Sequence, residues 1–103
     1  MHKGEMNEHQ HCLWLRMLEM VESYRQRAIS FPQLVGELQG ALDAGEFRDQ
    51  ALVEQFYDLW QPLEITNAVK GTNATHEEVS RDVEAMQNFL LEHLITEQLK
   101  ESK

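Results

Sequence analysis

The sequence predicts an all-α fold, an antiparallel four-helix bundle. Three observations carry that reading. Apolar residues recur at three- and four-residue spacing through four consecutive segments. Residues that cap or stop helices stand at the joints between those segments. Nowhere do apolar and polar residues alternate for long enough to make a strand, and no internal repeat is visible.

In the first segment Trp14, Met17, Val21, Tyr24 and Ala28 recur at helical spacing and Leu18 widens the stripe, which predicts a helix from Asn7 to Ala28. Ser30 is placed to cap the second helix, with Gln33 three residues on and Pro32 in the first turn, where its missing N–H is harmless. Phe31, Leu34, Val35, Leu38 and Leu42 form its apolar stripe, and Gly45 is expected to end it in the left-handed conformation. Gly36 and Gly40 lie inside this helix, each costing about 1 kcal/mol relative to alanine. Their shared side either lets a neighbouring backbone approach closely or simply faces water.

The third segment begins near Glu46 or Asp49. Leu52, Val53, Phe56, Leu59, Trp60 and Leu63 give it a wide apolar face. Pro62 lacks an N–H and its ring crowds the carbonyl of Asp58, so a kink or break is expected there. The pattern resumes in a shifted phase with Ile65, Ala68 and Val69 and stops at Gly71. After the linker, Thr75 and Glu78 have the spacing of a capping box, and Val79, Val83, Met86, Leu90 and Leu94 continue to a polar end at Lys100–Lys103. Four amphipathic helices joined by short turns bury their stripes best around one core. Residues 1–103 are therefore read as one helical domain, with about 1–6 and 101–103 frayed.

Composition narrows the functional classes. The chain of 103 residues carries a net charge of −9, which argues against nucleic acid as a direct ligand, because phosphate binding needs clustered Lys and Arg. The charge is uneven. Residues 1–27 balance, whereas residues 28–69 hold seven acids against Arg48 alone, a net of −6. A region of one sign steers a partner of the other sign toward it. No apolar run is long enough to span a membrane and no apolar stretch near Met1 reads as a secretory signal. With one cysteine, Cys12, the chain suits a reducing compartment and is expected in the cytoplasm, where the sequon Asn73-Ala74-Thr75 stays empty.

The search for chemistry returns little. His9, His11 and Cys12, with His2 upstream, are metal-ligating types, but they lack the four-ligand spacing of a structural zinc site, so no metal is expected. Cys12 beside two histidines makes no triad by sequence proximity alone. Glu77 and Glu78 complement a helix N-terminus and need no further role. No phosphate loop, nucleophile elbow or deaminase signature is present. The reading is a non-enzymatic protein without a cofactor. Trp14, Phe56, Trp60 and Phe89 belong to the apolar stripes and are expected in the core. Tyr57, flanked by Glu54 and Asp58, is either a peripheral core residue or an aromatic anchor for a partner, and Phe47 is a similar case.

Two stretches resemble a pattern found in small acidic bacterial proteins encoded beside polymorphic or contact-dependent toxins. One is Tyr24-Arg25-Gln26-Arg27-Ala28-Ile29-Ser30-Phe31, running on through Leu34, Val35 and Leu38; the other is Phe56-Tyr57-Asp58-Leu59-Trp60-Gln61-Pro62-Leu63-Glu64-Ile65. Those proteins act as immunity proteins. The resemblance covers roughly residues 13–70 and departs from the pattern at Pro62. It implies a tight cytoplasmic inhibitor of a cognate toxin, often a basic nuclease. On this reading Asp43, Glu46, Asp49, Glu54, Tyr57 and Asp58 form the partner-binding face toward a basic toxin domain. The alternative is a helical adaptor or self-associating regulatory protein.

Overall fold

A computed structural model describes residues 7–101, with side-chain surroundings through Leu94. The stretches expected to fray thus lie almost wholly outside the described residues, as does His2. Four helices follow in order: α1 (Glu8–Arg25), α2 (Phe31–Gly45), α3 (Gln50–Lys70) and α4 (His76–Glu101), with a short 3-10 turn at Gly71–Asn73 before the last. The described residues contain no strand. The described part of the chain is all-helical, as its periodicity predicts. α1 packs on α2 and α4, α3 packs on α4 and α2, and the diagonal pairs keep their backbones apart. The seam between α2 and α3 is the thinnest of the four.

Each helix starts on a side-chain cap that satisfies an otherwise orphaned backbone N–H. Asn7 Oδ1 accepts from the Gln10 N–H at 2.7 Å while Gln10 Oε1 accepts from the Asn7 N–H at 3.1 Å, a reciprocal box. Ser30 Oγ accepts from the Gln33 N–H, and Asp49 Oδ1 from the Leu52 N–H. Thr75 and Glu78 form the expected reciprocal pair at 3.1 and 2.8 Å.

The helix ends correct two expectations. α1 stops at Arg25, not Ala28. The Ala28 N–H reaches back to the Ser23 carbonyl and the Arg27 N–H to the Tyr24 carbonyl, with Arg27 left-handed at φ 66°. This is a Schellman ending with arginine in the place glycine usually takes, and it leaves Ala28 exposed, off the core stripe. At the end of α2 the left-handed residue is Glu46, at φ 49°, and not Gly45. Gly45 serves packing instead: a Cβ there would run into the Phe47 ring. Gly71, at φ 53°, does stop α3.

The apolar stripes converge on one core. Trp14, Met17, Val21, Leu34, Val35, Leu38, Phe56, Leu63, Val79, Met86 and Leu90 are its fully buried side chains, joined by Trp60, Phe89 and Leu94. Burying a side chain of this size stabilises by about 1.5–3 kcal/mol. Both indoles also find buried acceptors on a neighbouring helix. Trp14 Nε1 donates to the Leu90 carbonyl at 2.8 Å and Trp60 Nε1 to the Val35 carbonyl at 3.0 Å. One tryptophan ties α1 to α4, and the other braces the thin seam between α3 and α2.

α3 continues as one helix through Pro62, without a break. The carbonyl that loses its helical partner belongs to Asp58, an exposed residue, so water can replace the missing N–H. Leu63 is the last buried residue of α3. Ile65, Ala68 and Val69, in their shifted phase, land on the solvent side. Gly36 and Gly40 also face open space, with nothing within 4 Å of a built Cβ. No helix among the described residues is long and apolar enough to cross a membrane.

Candidate protein-binding face

The six residues singled out from the sequence lie on the end of α2, the connection to α3, and the first half of α3. The connection is held firmly. Gln10 Nε2, on α1, donates to the Gly45 carbonyl at 2.7 Å and approaches the Glu46 carbonyl at 3.4 Å. Phe47, half-buried, sets its ring edge-on to Trp14 with centroids 5.6 Å apart and fills the space left by the missing Cβ of Gly45. The chain between the two helices is therefore pinned to the core by an aromatic and to α1 by an amide. Charged side chains carried on such a connection keep a fixed spacing, which is what recognition by charge needs.

Tyr57 lies at the edge of the core. It is half-buried, packed edge-on against Phe56 (5.5 Å) and Trp60 (5.8 Å), each at an interplanar angle of 88°. Its hydroxyl donates toward Asp43 Oδ1 at 3.4 Å, a long contact across the α2–α3 seam. The structure thus brings Asp43 and Tyr57 together. Asp49 is separated from them by role, since its carboxylate caps α3. Glu46 sits at the left-handed turn, and Glu54 and Asp58 lie one helical turn apart on the outward side of α3.

All five carboxylates are exposed, and among the described residues none is paired with a base. The sole base in α3, Lys70, is engaged elsewhere: it bridges to Glu78 in the first turn of α4. That bond, with the Thr75 backbone N–H behind it, lowers the Glu78 carboxyl to about 2.

The joint where α1 ends and α4 begins holds a second polar group that sequence reasoning missed. The His76 ring stacks on Tyr24 at 4.2 Å and 6°. Its Nε2 lies 2.9 Å from the Tyr24 carbonyl and its Nδ1 3.3 Å from Arg27 Nη1. A carbonyl only accepts and a guanidinium only donates, so the two contacts match the tautomer that carries its hydrogen on Nε2. Tyr24 Oη is buried without a hydrogen-bond partner, and burial pushes its pKa up, with Arg27 opposing and Glu78 reinforcing the shift. Nothing local in the sequence could announce a contact between helices so far apart along the chain.

At the N-terminal end of α1, His9 and Cys12 are exposed, whereas His11 is half-buried with Nε2 unpartnered. Among the described residues no three His, Cys, Asp or Glu side chains gather where a metal ion could sit.

A scan against protein-family models, a search of curated proteins and a search of solved structures each found no match to this chain.

Proposed function

We propose that this chain is an immunity-type inhibitor that binds and neutralises a cognate bacterial toxin domain in the cytoplasm, acting without catalysis of its own. The binding surface is the acidic side formed by Asp43, Glu46, Asp49, Glu54 and Asp58, with Tyr57 as its aromatic anchor. The observation that carries this reading is the set of exposed carboxylates, none of them in an ion pair among the described residues, on the end of α2, the first half of α3 and the connection between them, which is pinned to the core. Carboxylates held this way raise the association rate of a basic partner without first having to abandon internal ion pairs. Tyr57 offers a preorganised ring beside them, at low entropic cost on binding.

The scaffold in this reading is an antiparallel four-helix bundle whose third helix bends at Pro62. The contacts of Gln10 with Gly45 and of Tyr24 with Phe31 support opposed directions for α1 and α2. Those of Trp14 with Leu90 and of Tyr24 with His76 do so for α1 and α4.

The test is rescue. The reading frame immediately upstream of this one is expressed under an inducible promoter, alone and together with this chain. Growth arrest relieved by co-expression is the expected result. Arrest that persists with the chain abundantly expressed would overturn the reading.

A further inference from the structure

The outward face of α3 has two unlike halves. Glu54, Asp58, Gln61, Ile65 and Val69 follow one another at helical spacing and are all exposed, with Ala68 beside the last two. The first half of this strip is acidic and the second is apolar. Ile65 is 64% exposed and Val69 77%, well above Leu15 and Leu91, each 41%, the other large apolar side chains that face water among the described residues. Single exposed apolar residues need no explanation. Here two β-branched ones adjoin on one turn of a helix, where branching lowers helix propensity and no packing compensates. Folding alone does not call for them.

We propose that this strip is a docking site for an amphipathic helical segment of a partner protein, with apolar side chains at one end of its face and Lys or Arg at the other. Charge complementarity fixes that occupant. A second copy of the chain fits badly. Two such strips side by side in parallel bring Glu54 and Asp58 against themselves, and in antiparallel they set carboxylates on Ile65 and Val69. A segment with basic residues toward its C-terminal end, where its own helix dipole favours cations, matches α3 when it runs the opposite way. Its apolar end then covers Ile65, Ala68 and Val69 while its basic end meets Asp58 and Glu54. From Glu54 to Val69 the strip is about 22 Å long at 1.5 Å per residue, enough for four turns of a partner helix. Tyr57 borders its acidic half. The proposal rests on the reading above, that the chain works by binding a basic protein, and adds what kind of segment it binds.

The probe is a labelled synthetic peptide of about 20 residues, capped at both ends, with Leu and Ile at i,i+4 in its N-terminal half and Lys and Arg at i,i+4 in its C-terminal half. A scrambled peptide of the same composition is the control. Fluorescence anisotropy with the full chain is expected to show at least about tenfold tighter binding of the ordered peptide, a difference near 1.4 kcal/mol. Ile65→Ala with Val69→Ala, which favours the helix and disturbs no core contact, should abolish that preference at any salt concentration. Glu54→Gln with Asp58→Asn should weaken binding several-fold at about 50 mM salt and little at about 500 mM, where the Debye length is only a few ångströms. Circular dichroism of both variants confirms that they fold. Equal binding of the two peptides, or a preference that survives the alanine pair, would overturn the proposal. If the preference holds but toxin rescue fails, the immunity reading falls and the strip stands. The reverse result removes the strip alone.

Discussion

The joint between α1 and α4 and the flank formed by α2 and α3 handle charge in opposite ways. At the joint, the imidazole and the charged groups are used by the fold, and the buried Tyr24 hydroxyl alone lacks a partner among the groups described there. His76 donates to the Tyr24 carbonyl and accepts from Arg27, and Lys70 is bound to Glu78, which also caps α4. On the flank, Asp43, Glu46, Asp49, Glu54 and Asp58 face water with no base to meet them among the described residues. The fold takes from this flank one cap, from Asp49, and one long contact, from Tyr57 to Asp43. Charges absorbed by internal pairs are poor recognition elements, because a partner must first displace those pairs. Charges left over at fixed positions are available. The comparison therefore separates groups that hold the bundle from groups that it displays.

Substitution should separate them in the same way, and the largest effects belong to the core that both regions share. Trp60→Ala removes a buried ring and the indole bond to Val35, so urea denaturation should show a loss of about 3–5 kcal/mol. A near-neutral result would mean that the α2–α3 seam is not braced by Trp60. At the joint, Thr75→Ala breaks the reciprocal cap with Glu78 and should cost about 1 kcal/mol. On the flank, Glu46→Gly relieves a left-handed backbone and should raise stability by up to about 1 kcal/mol, offset in part by the entropy glycine adds to the unfolded chain.

Acid should act on the joint through Glu78. The folded state holds the Glu78 carboxyl at about 2, below its ordinary value of 4.5, chiefly through Lys70. Its contribution to stability is thus fully present above the unfolded value and is lost as pH falls from there through about 2. Thermal melts between pH 5 and pH 2 should show a fall in Tm that shrinks in Lys70→Met. Equal slopes for the two proteins would show that the ion pair does not form in solution.

The sequence was legible where periodicity speaks and silent where tertiary contact decides. Every residue placed on the stripe of the last helix from Val79 to Leu94 is buried, because a helical repeat marks its inner face directly. Thr75 and Glu78 announced their cap by spacing, and Asn7 with Gln10 carried the same signal unread. The stop after Arg25 was hidden because arginine at a left-handed position has no sequence signature, and Gly45 misled because glycine is also chosen for space. Ile65 and Val69 looked like a resumed core. Their shifted phase was the clue that they face away from it. Of the candidate site, exposure of the acids followed from composition, but the Tyr57–Asp43 contact depends on how two helices meet and could not be read from either one.

The smallest expected effect on stability is the most informative for function. Glu54 and Asp58 repel each other mildly across one helical turn, so Glu54→Gln with Asp58→Asn should leave the melting temperature unchanged or slightly raised. The decisive measurement is the association rate constant of this double variant with the toxin domain identified by rescue, at two ionic strengths. The account predicts association several-fold slower than for the unaltered chain at low salt, with the two rates converging at high salt. Equal association rates at low salt would contradict it, and the acidic flank would then not be the surface through which the protein binds.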